Sequence, residues 1–174
     1  MTKHKPVILI GMMGVGKTSV GKLLASALAC DFVDVDKKIV AAEGKTIPSI
    51  FENHGESYFR EIEANTIEKL VACDQRVVIA TGGGAVMTPR TADLIWYKGV
   101  SVWLQSDVTV LLKRIGTDPN RPLLQEKDAA DVLKKLEKAR SPVYKRADIH
   151  VISGVEPLEI TLKKVLEKLD AFTK

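Results

Sequence analysis

The octapeptide Gly11-Met12-Met13-Gly14-Val15-Gly16-Lys17-Thr18 fits the pattern G-x-x-x-x-G-K-S/T and follows directly on the apolar run Val7-Ile8-Leu9-Ile10. A segment with a helical pattern, 19–30, comes next, so the octapeptide is expected to join a buried strand to a helix. Strand, glycine loop and helix together commit the chain to an α/β domain that cradles the phosphates of a nucleotide. Glycines let backbone N–H groups converge on phosphate oxygens, and the helix N-terminus adds positive potential. Lys17 is expected to reach the β- and γ-phosphates and the Thr18 hydroxyl to ligate Mg²⁺. With Ser19 in the first helical turn, the nucleotide site then spans Gly11, Met12, Met13, Gly14, Val15, Gly16, Lys17, Thr18 and Ser19.

Short apolar runs alternate with amphipathic segments along the rest of the chain, which points to a mainly parallel sheet covered by helices. The expected strands are 7–10, 32–35, 76–80, 100–104 and 148–152. The expected helices lie near 17–29, 36–43, 47–53, 56–72, 89–96, 107–115, 128–144 and 157–171. In the last helix Leu158, Leu162, Val165, Leu166 and Leu169 form a one-sided stripe that is expected to face the core. Gly116-Thr117-Asp118-Pro119-Asn120-Arg121-Pro122 is sharply turn-rich and is expected to be a mobile loop between two helices. No repeat or Pro/Gly-rich linker interrupts the pattern, so residues 1–174 are expected to form one domain.

Several classes are disfavoured by composition. No apolar stretch approaches the ~20 residues of a membrane span, and a cytoplasmic protein with no membrane partner is expected. The net charge of +4 and pI near 9.0 raise the question of nucleic acid. However, the cations are interleaved with acids, and aromatics make up only 5% of residues, too few for base-stacking surfaces. Binding of small anions is the more economical account, with no nucleic-acid partner. Cys30 and Cys73 form no C-x-x-C pair and are expected to be buried free thiols.

Phosphoryl transfer needs metal coordination, an oriented acceptor and positive charge around the transferred group. Asp34-Val35-Asp36 ends an expected strand, where residues two apart share a face, so both carboxylates are expected to point into one crevice at the carboxyl end of the sheet. Alternatively, Asp36 caps the next helix. The strand 76–80 runs into Thr81-Gly82-Gly83-Gly84, whose bare backbone permits close approach of a ligand. That strand lacks the acidic residue usual at its end, which leaves Asp34 as the carboxylate for the metal shell. Arg60, Arg121 and Arg140 offer forked donors suited to carboxylate or phosphate.

These segments, in this order and spacing, resemble the shikimate kinase family. The likeness rests on Gly11–Gly21, on Phe32-Val33-Asp34-Val35-Asp36 and on residues 57–63. It continues through residues 80–84, 120–124 and 139–144, so it covers nearly the whole chain. The resemblance implies a three-layer, nucleoside-monophosphate-kinase-like α/β fold with a five-stranded parallel sheet in the order 2-3-1-4-5. It implies substrate-binding helices near 36–63 and a mobile lid near 114–126. The implied reaction transfers the γ-phosphoryl of ATP, with Mg²⁺, to the 3-hydroxyl of shikimate in aromatic amino-acid biosynthesis. By position, Asp36, Arg60, Gly83 and Arg140 match shikimate-binding residues, Gly82 and Gly84 complete the glycine loop, and Glu63 matches a supporting acid. Arg121 matches a lid arginine, Arg114 an arginine near the nucleotide base, and Asp34 an aspartate linked to the Mg²⁺ water shell. Lys17, Asp36 and Arg121 thereby become the expected catalytic residues, and a monomer is expected. In the loop after the last strand, family members often place an arginine before a proline. Here the segment is Ser153-Gly154-Val155-Glu156-Pro157, which keeps Pro157 alone for the base.

Two rival readings are a gluconate or nucleotide kinase of the same fold and a catalytically silent nucleotide-binding module. The first needs a different acceptor pocket, and the second predicts damage to Lys17, Asp34, Asp36 or Arg121, all of which are intact.

Overall fold

The computed structural model describes residues 5–73, 75–115 and 129–173. The turn-rich segment 116–122, and with it Arg121, lies outside the described residues. Strand β1 (Val7–Ile10) is buried at every position, as a strand with helices on both faces must be. The chain then passes through the phosphate loop into α1 (Lys17–Ala27), β2 (Asp31–Asp34) and α2 (Val35–Glu43). A long α3 (Ile47–Ala72) and β3 (Val77–Ala80) follow. After a 3₁₀ turn at Ala85–Met87 come α4 (Pro89–Lys98), β4 (Val100–Gln105) and α5 (Val108–Ile115). The chain ends with α6 (Ala129–Tyr144), β5 (Ile149–Ile152) and α7 (Leu158–Thr173).

All four strand pairings are parallel and the order is β2-β3-β1-β4-β5. This order sets the carboxyl ends of β2, β3 and β1 side by side. Asp34, the glycines after β3 and the phosphate loop therefore become neighbours, although they are far apart in sequence. Thr81 fixes the junction, since its N–H and its hydroxyl both donate to the carbonyl of Leu9. Beneath this edge lies a continuous core that includes Ile8, Leu9, Val20, Leu24, Ile79, Val102, Leu104 and Val165. Each such side chain contributes about 1.5–3 kcal/mol relative to exposure. Gly21 lets α1 sit close to the sheet, because a Cβ there would lie 2.4 Å from the Phe32 ring.

The two helices expected at 47–53 and 56–72 form one element broken at Gly55, whose backbone (φ 81, ψ 172) is non-helical. Glycine tolerates that conformation, which accounts for the break at this position. The thiols differ from expectation. Both are free, but Cys30 is only half-buried and Cys73, at the C-cap of α3, is exposed. No described helix is long and apolar enough to cross a membrane.

Candidate active site

The phosphate loop turns at Gly11, Gly14 and Gly16, all with positive φ, and Gly16 (φ 100) immediately precedes α1. Lys17 folds over the loop and donates to the carbonyls of Gly11 at 2.8 Å and Met12 at 2.9 Å. Ser19 is exposed in the first turn of α1, Met13 is half-buried, and the side chains of Met12 and Val15 point into the core. Those last two residues therefore contribute backbone to the loop. The hydroxyl of Thr18 donates to Asp34 Oδ2 at 2.8 Å. This pair of hard oxygen groups suits Mg²⁺, which takes few protein ligands when it is bound through phosphates.

The expectation that strand alternation aligns Asp34 with Asp36 needs correction. The strand stops at Asp34, which is the N-cap of α2 and accepts the Lys37 N–H at 3.2 Å. Asp36 therefore lies in the first helical turn and is not the cap. The two carboxylates reach the same end of the sheet by a strand-to-helix junction, and they face different neighbours. Asp34 faces Thr18, whereas Asp36 faces Gly82.

The three glycines after β3 are where the expected acceptor residues converge. A Cβ on Gly82 would lie 3.0 Å from Glu63 Oε1 and 3.1 Å from Asp36 Oδ1. On Gly83 it would lie 3.2 Å from Arg140 Nη1 and 3.4 Å from the carbonyl of Gly11. On Gly84 it would lie 2.6 Å from Arg60 Nη2. One short loop thus carries two acids at its first residue, a guanidinium at each of the next two, and the phosphate loop against its middle. Arg60 is held by Glu63 at 2.7 Å and by Glu56 at 3.3 Å. Glu63 is fully buried; its Oε2 accepts from Arg60, while Oε1 has no hydrogen-bond partner. Burial pushes the Glu63 carboxyl above its usual value, an effect that Arg60 opposes and the nearby Asp36 reinforces. A cavity of about 520 Å³, lined in part by Glu56, Ser57, Arg60 and Arg90, opens beside the Arg60 end of this cluster.

Arg114, at the end of α5, donates to the carbonyls of Val15 (3.2 Å) and Gly154 and lies 3.4 Å from Ser153 Oγ. It ties the phosphate loop to the loop after β5, and Ser153 adds its own bond to Val15 O at 3.2 Å. Pro157 is exposed at the start of α7, and Glu156 is paired with Lys164 at 2.5 Å. Two residues of this framework went unassigned in the sequence. Ser153 is one; the other is Tyr144, whose hydroxyl donates to the carbonyl of Gly83. The signal for Tyr144 was its position one helical turn after Arg140, on the same face.

The shikimate kinase family model matches residues 13–170. The chain belongs to the shikimate kinase family. It is 44% identical over 169 residues to the shikimate kinase of Novosphingobium aromaticivorans, covering 95% of this chain and 88% of that protein. Among solved structures it is similar to the shikimate kinase from Acinetobacter baumannii in complex with shikimate. That likeness has a TM-score of 0.91 and 34% identity, and covers 97% of this chain and 94% of the other. A gluconokinase from Sinorhizobium meliloti has a TM-score of 0.61 at 17% identity over 98% of this chain and 94% of its own, a likeness of fold alone. The shikimate kinase fold, with its parallel sheet in the order 2-3-1-4-5, is the one expected from the sequence.

Proposed function

We propose that the protein transfers the γ-phosphoryl group of ATP to the 3-hydroxyl of shikimate, giving shikimate 3-phosphate and ADP in aromatic amino-acid biosynthesis. One observation carries this reading. Asp36 and Glu63 meet at Gly82, while Arg140 and Arg60 sit against Gly83 and Gly84, with the phosphate loop touching Gly83. Shikimate is a compact ring bearing one carboxylate and three hydroxyls, and the cluster offers complementary chemistry. Arg60 and Arg140 would clamp the carboxylate through charge-assisted hydrogen bonds. Asp36 would accept a ring hydroxyl and aim its oxygen at the γ-phosphorus. The similar Acinetobacter baumannii enzyme, described as a complex with shikimate, supports the same choice.

In the transfer, a bond forms between the 3-oxygen and the γ-phosphorus as the bond to the β,γ-bridging oxygen breaks. The hydroxyl proton passes to Asp36 or to the phosphate. A loose transition state requires little proton removal early, so the main contribution of Asp36 is orientation. The loop N–H groups and Lys17 would hold the β- and γ-phosphates, and Lys17 would exchange its carbonyl partners for phosphate oxygens. Thr18, with Asp34 through the water shell, would hold Mg²⁺, which supplies charge neutralisation on the phosphates. Arg114 and Pro157 would border the nucleotide base, and Ser19 would lie at the helix start beside the phosphates. Arg121 would bring positive charge to the transferring group. We read the protein as a cytoplasmic monomer forming a single domain.

The test is ADP release by the purified protein with ATP and Mg²⁺, comparing shikimate with quinate, gluconate and nucleoside monophosphates. Release that depends on shikimate and yields a phosphorylated product is the expected result. Turnover with gluconate or a nucleotide and none with shikimate would sink the reading.

A further inference from the structure

Tyr144 closes α6 one turn after Arg140, and both reach the same glycine. The Tyr144 hydroxyl donates to Gly83 O, while Arg140 Nη1 lies 3.2 Å from the position of a Gly83 Cβ. Tyr144 is 1% exposed and its ring packs, tilted, against Trp103 of β4 with centroids 5.7 Å apart. Trp103 in turn meets the His150 ring of β5 edge-on at 5.2 Å. This aromatic series anchors the end of α6 to the sheet. The phenol is thereby presented to a carbonyl at the centre of the acceptor loop, 61 residues away in sequence. Burial pushes the phenol up to about 12, so it remains a donor throughout the working pH range.

Gly83 is flanked on one side by Gly82, with its two acids, and on the other by Gly84, which abuts Arg60. The Gly83 carbonyl thus anchors the middle of the loop that the α6 guanidinium and the α3 guanidinium both lie against. Arg140 is held from the same helical turn as the tyrosine, so a shift at Gly83 would change the distance between the two arginines. We infer that Tyr144 is a positioning residue for the acceptor: its bond to Gly83 sets the spacing of Arg60 and Arg140 and so selects a carboxylate-bearing substrate. This rests on the reading of shikimate as acceptor. Tyr144 acts through Gly83 and Arg140 and does not itself contact the acceptor.

The test compares the wild type with Tyr144→Phe, which keeps the ring and its packing against Trp103 but removes the donor. Initial rates would be measured with shikimate and with its methyl ester, which lacks the charge, alongside the KM for ATP and the thermal midpoint. A neutral hydrogen bond is worth on the order of fivefold in an equilibrium. The expected result is a KM for shikimate raised about fivefold or more, with kcat and the KM for ATP within about twofold. Preference for shikimate over its ester should fall by a similar factor. A variant with unchanged KM and unchanged preference overturns the inference. So does one in which kcat and the thermal midpoint fall while both KM values rise together, because that marks a purely structural role. Tyr144→Trp, which retains an aromatic core residue with its donor displaced, should reproduce the loss of preference if it folds; retained preference in this variant also counts against the inference. Wild-type protein that fails to phosphorylate shikimate would instead sink the functional reading.

Discussion

The hydroxyl of Thr18 donates to one oxygen of Asp34 at 2.8 Å, while the other oxygen of that carboxylate accepts the Lys37 N–H at 3.2 Å. A single side chain therefore joins the phosphate loop to the start of α2, and its two tasks can be separated by mutation. Asp34→Asn retains a good cap and is expected to fold with wild-type stability. Asp34→Ala should lose about 1 kcal/mol in urea unfolding. Both should need about tenfold more Mg²⁺ for half-maximal rate, since both remove the charge beside Thr18. An unchanged Mg²⁺ titration in Asp34→Asn would remove this residue from the metal shell.

Gly84 has an ordinary backbone (φ −99, ψ −1) that any residue can adopt, yet a Cβ there would lie 2.6 Å from Arg60 Nη2. Gly84→Ala is thus a steric probe of one guanidinium. The KM for shikimate should rise about tenfold or more while the thermal midpoint stays close to wild type. Wild-type kinetics would mean that the position of Arg60 is immaterial.

Arg60→Ala has two consequences, because Glu63 behind it is fully buried and uses Arg60 as its hydrogen-bond partner. Shikimate affinity measured by calorimetry should fall by about 10–100-fold, the scale of one charge-assisted pair. Stability should also decline, and Glu63→Gln added to Arg60→Ala should restore part of it by removing the stranded charge. Undiminished shikimate binding would exclude Arg60 from the carboxylate clamp.

Burial raises the Glu63 carboxyl above its ordinary 4.5, so between that value and its folded value the native state holds more protons than the unfolded chain. Stability then decreases as pH rises through that window, and the penalty is complete above it. Glu63→Gln has no such penalty. Its stability relative to wild type should improve as pH rises above about 4.5, readable in paired urea titrations. A difference independent of pH would show that Glu63 is not desolvated in solution.

Arg121 is expected to act only on the transferring group. Arg121→Ala should lower kcat by on the order of 10³ with little change in the KM for shikimate. Turnover near wild type would remove the arginine from the mechanism.

Much of this architecture was readable in the chain because its signals are local. Parallel strands buried on both faces appear as unbroken apolar runs, and all five expected strands are present within a residue or two at each end. Gly55 divides α3 where the helical patterns were expected to part. Asp34 and Asp36 share one end of the sheet but not one face, and strand alternation is not what brings them there. A side-chain cap ends the strand one residue early, and capping competes with strand propagation on equal local terms. Beyond its spacing one turn after Arg140, Tyr144 reads in the sequence as packing, because an aromatic residue on a helix's buried face has that signature. Its polar tip acquires meaning only from the carbonyl it meets.

By itself the sequence determined the phosphate loop, the alternation of strands and helices, and the residue types able to hold an anion, because each depends on neighbours a few positions away. Only the tertiary structure decided which of those residues share a site. Pairing β3 between β2 and β1 places three strand ends side by side, and packing of α3 and α6 turns Arg60 and Arg140 onto adjacent glycines. Strand order and side-chain direction depend on hydrogen bonds and contacts between distant segments, which no local pattern encodes.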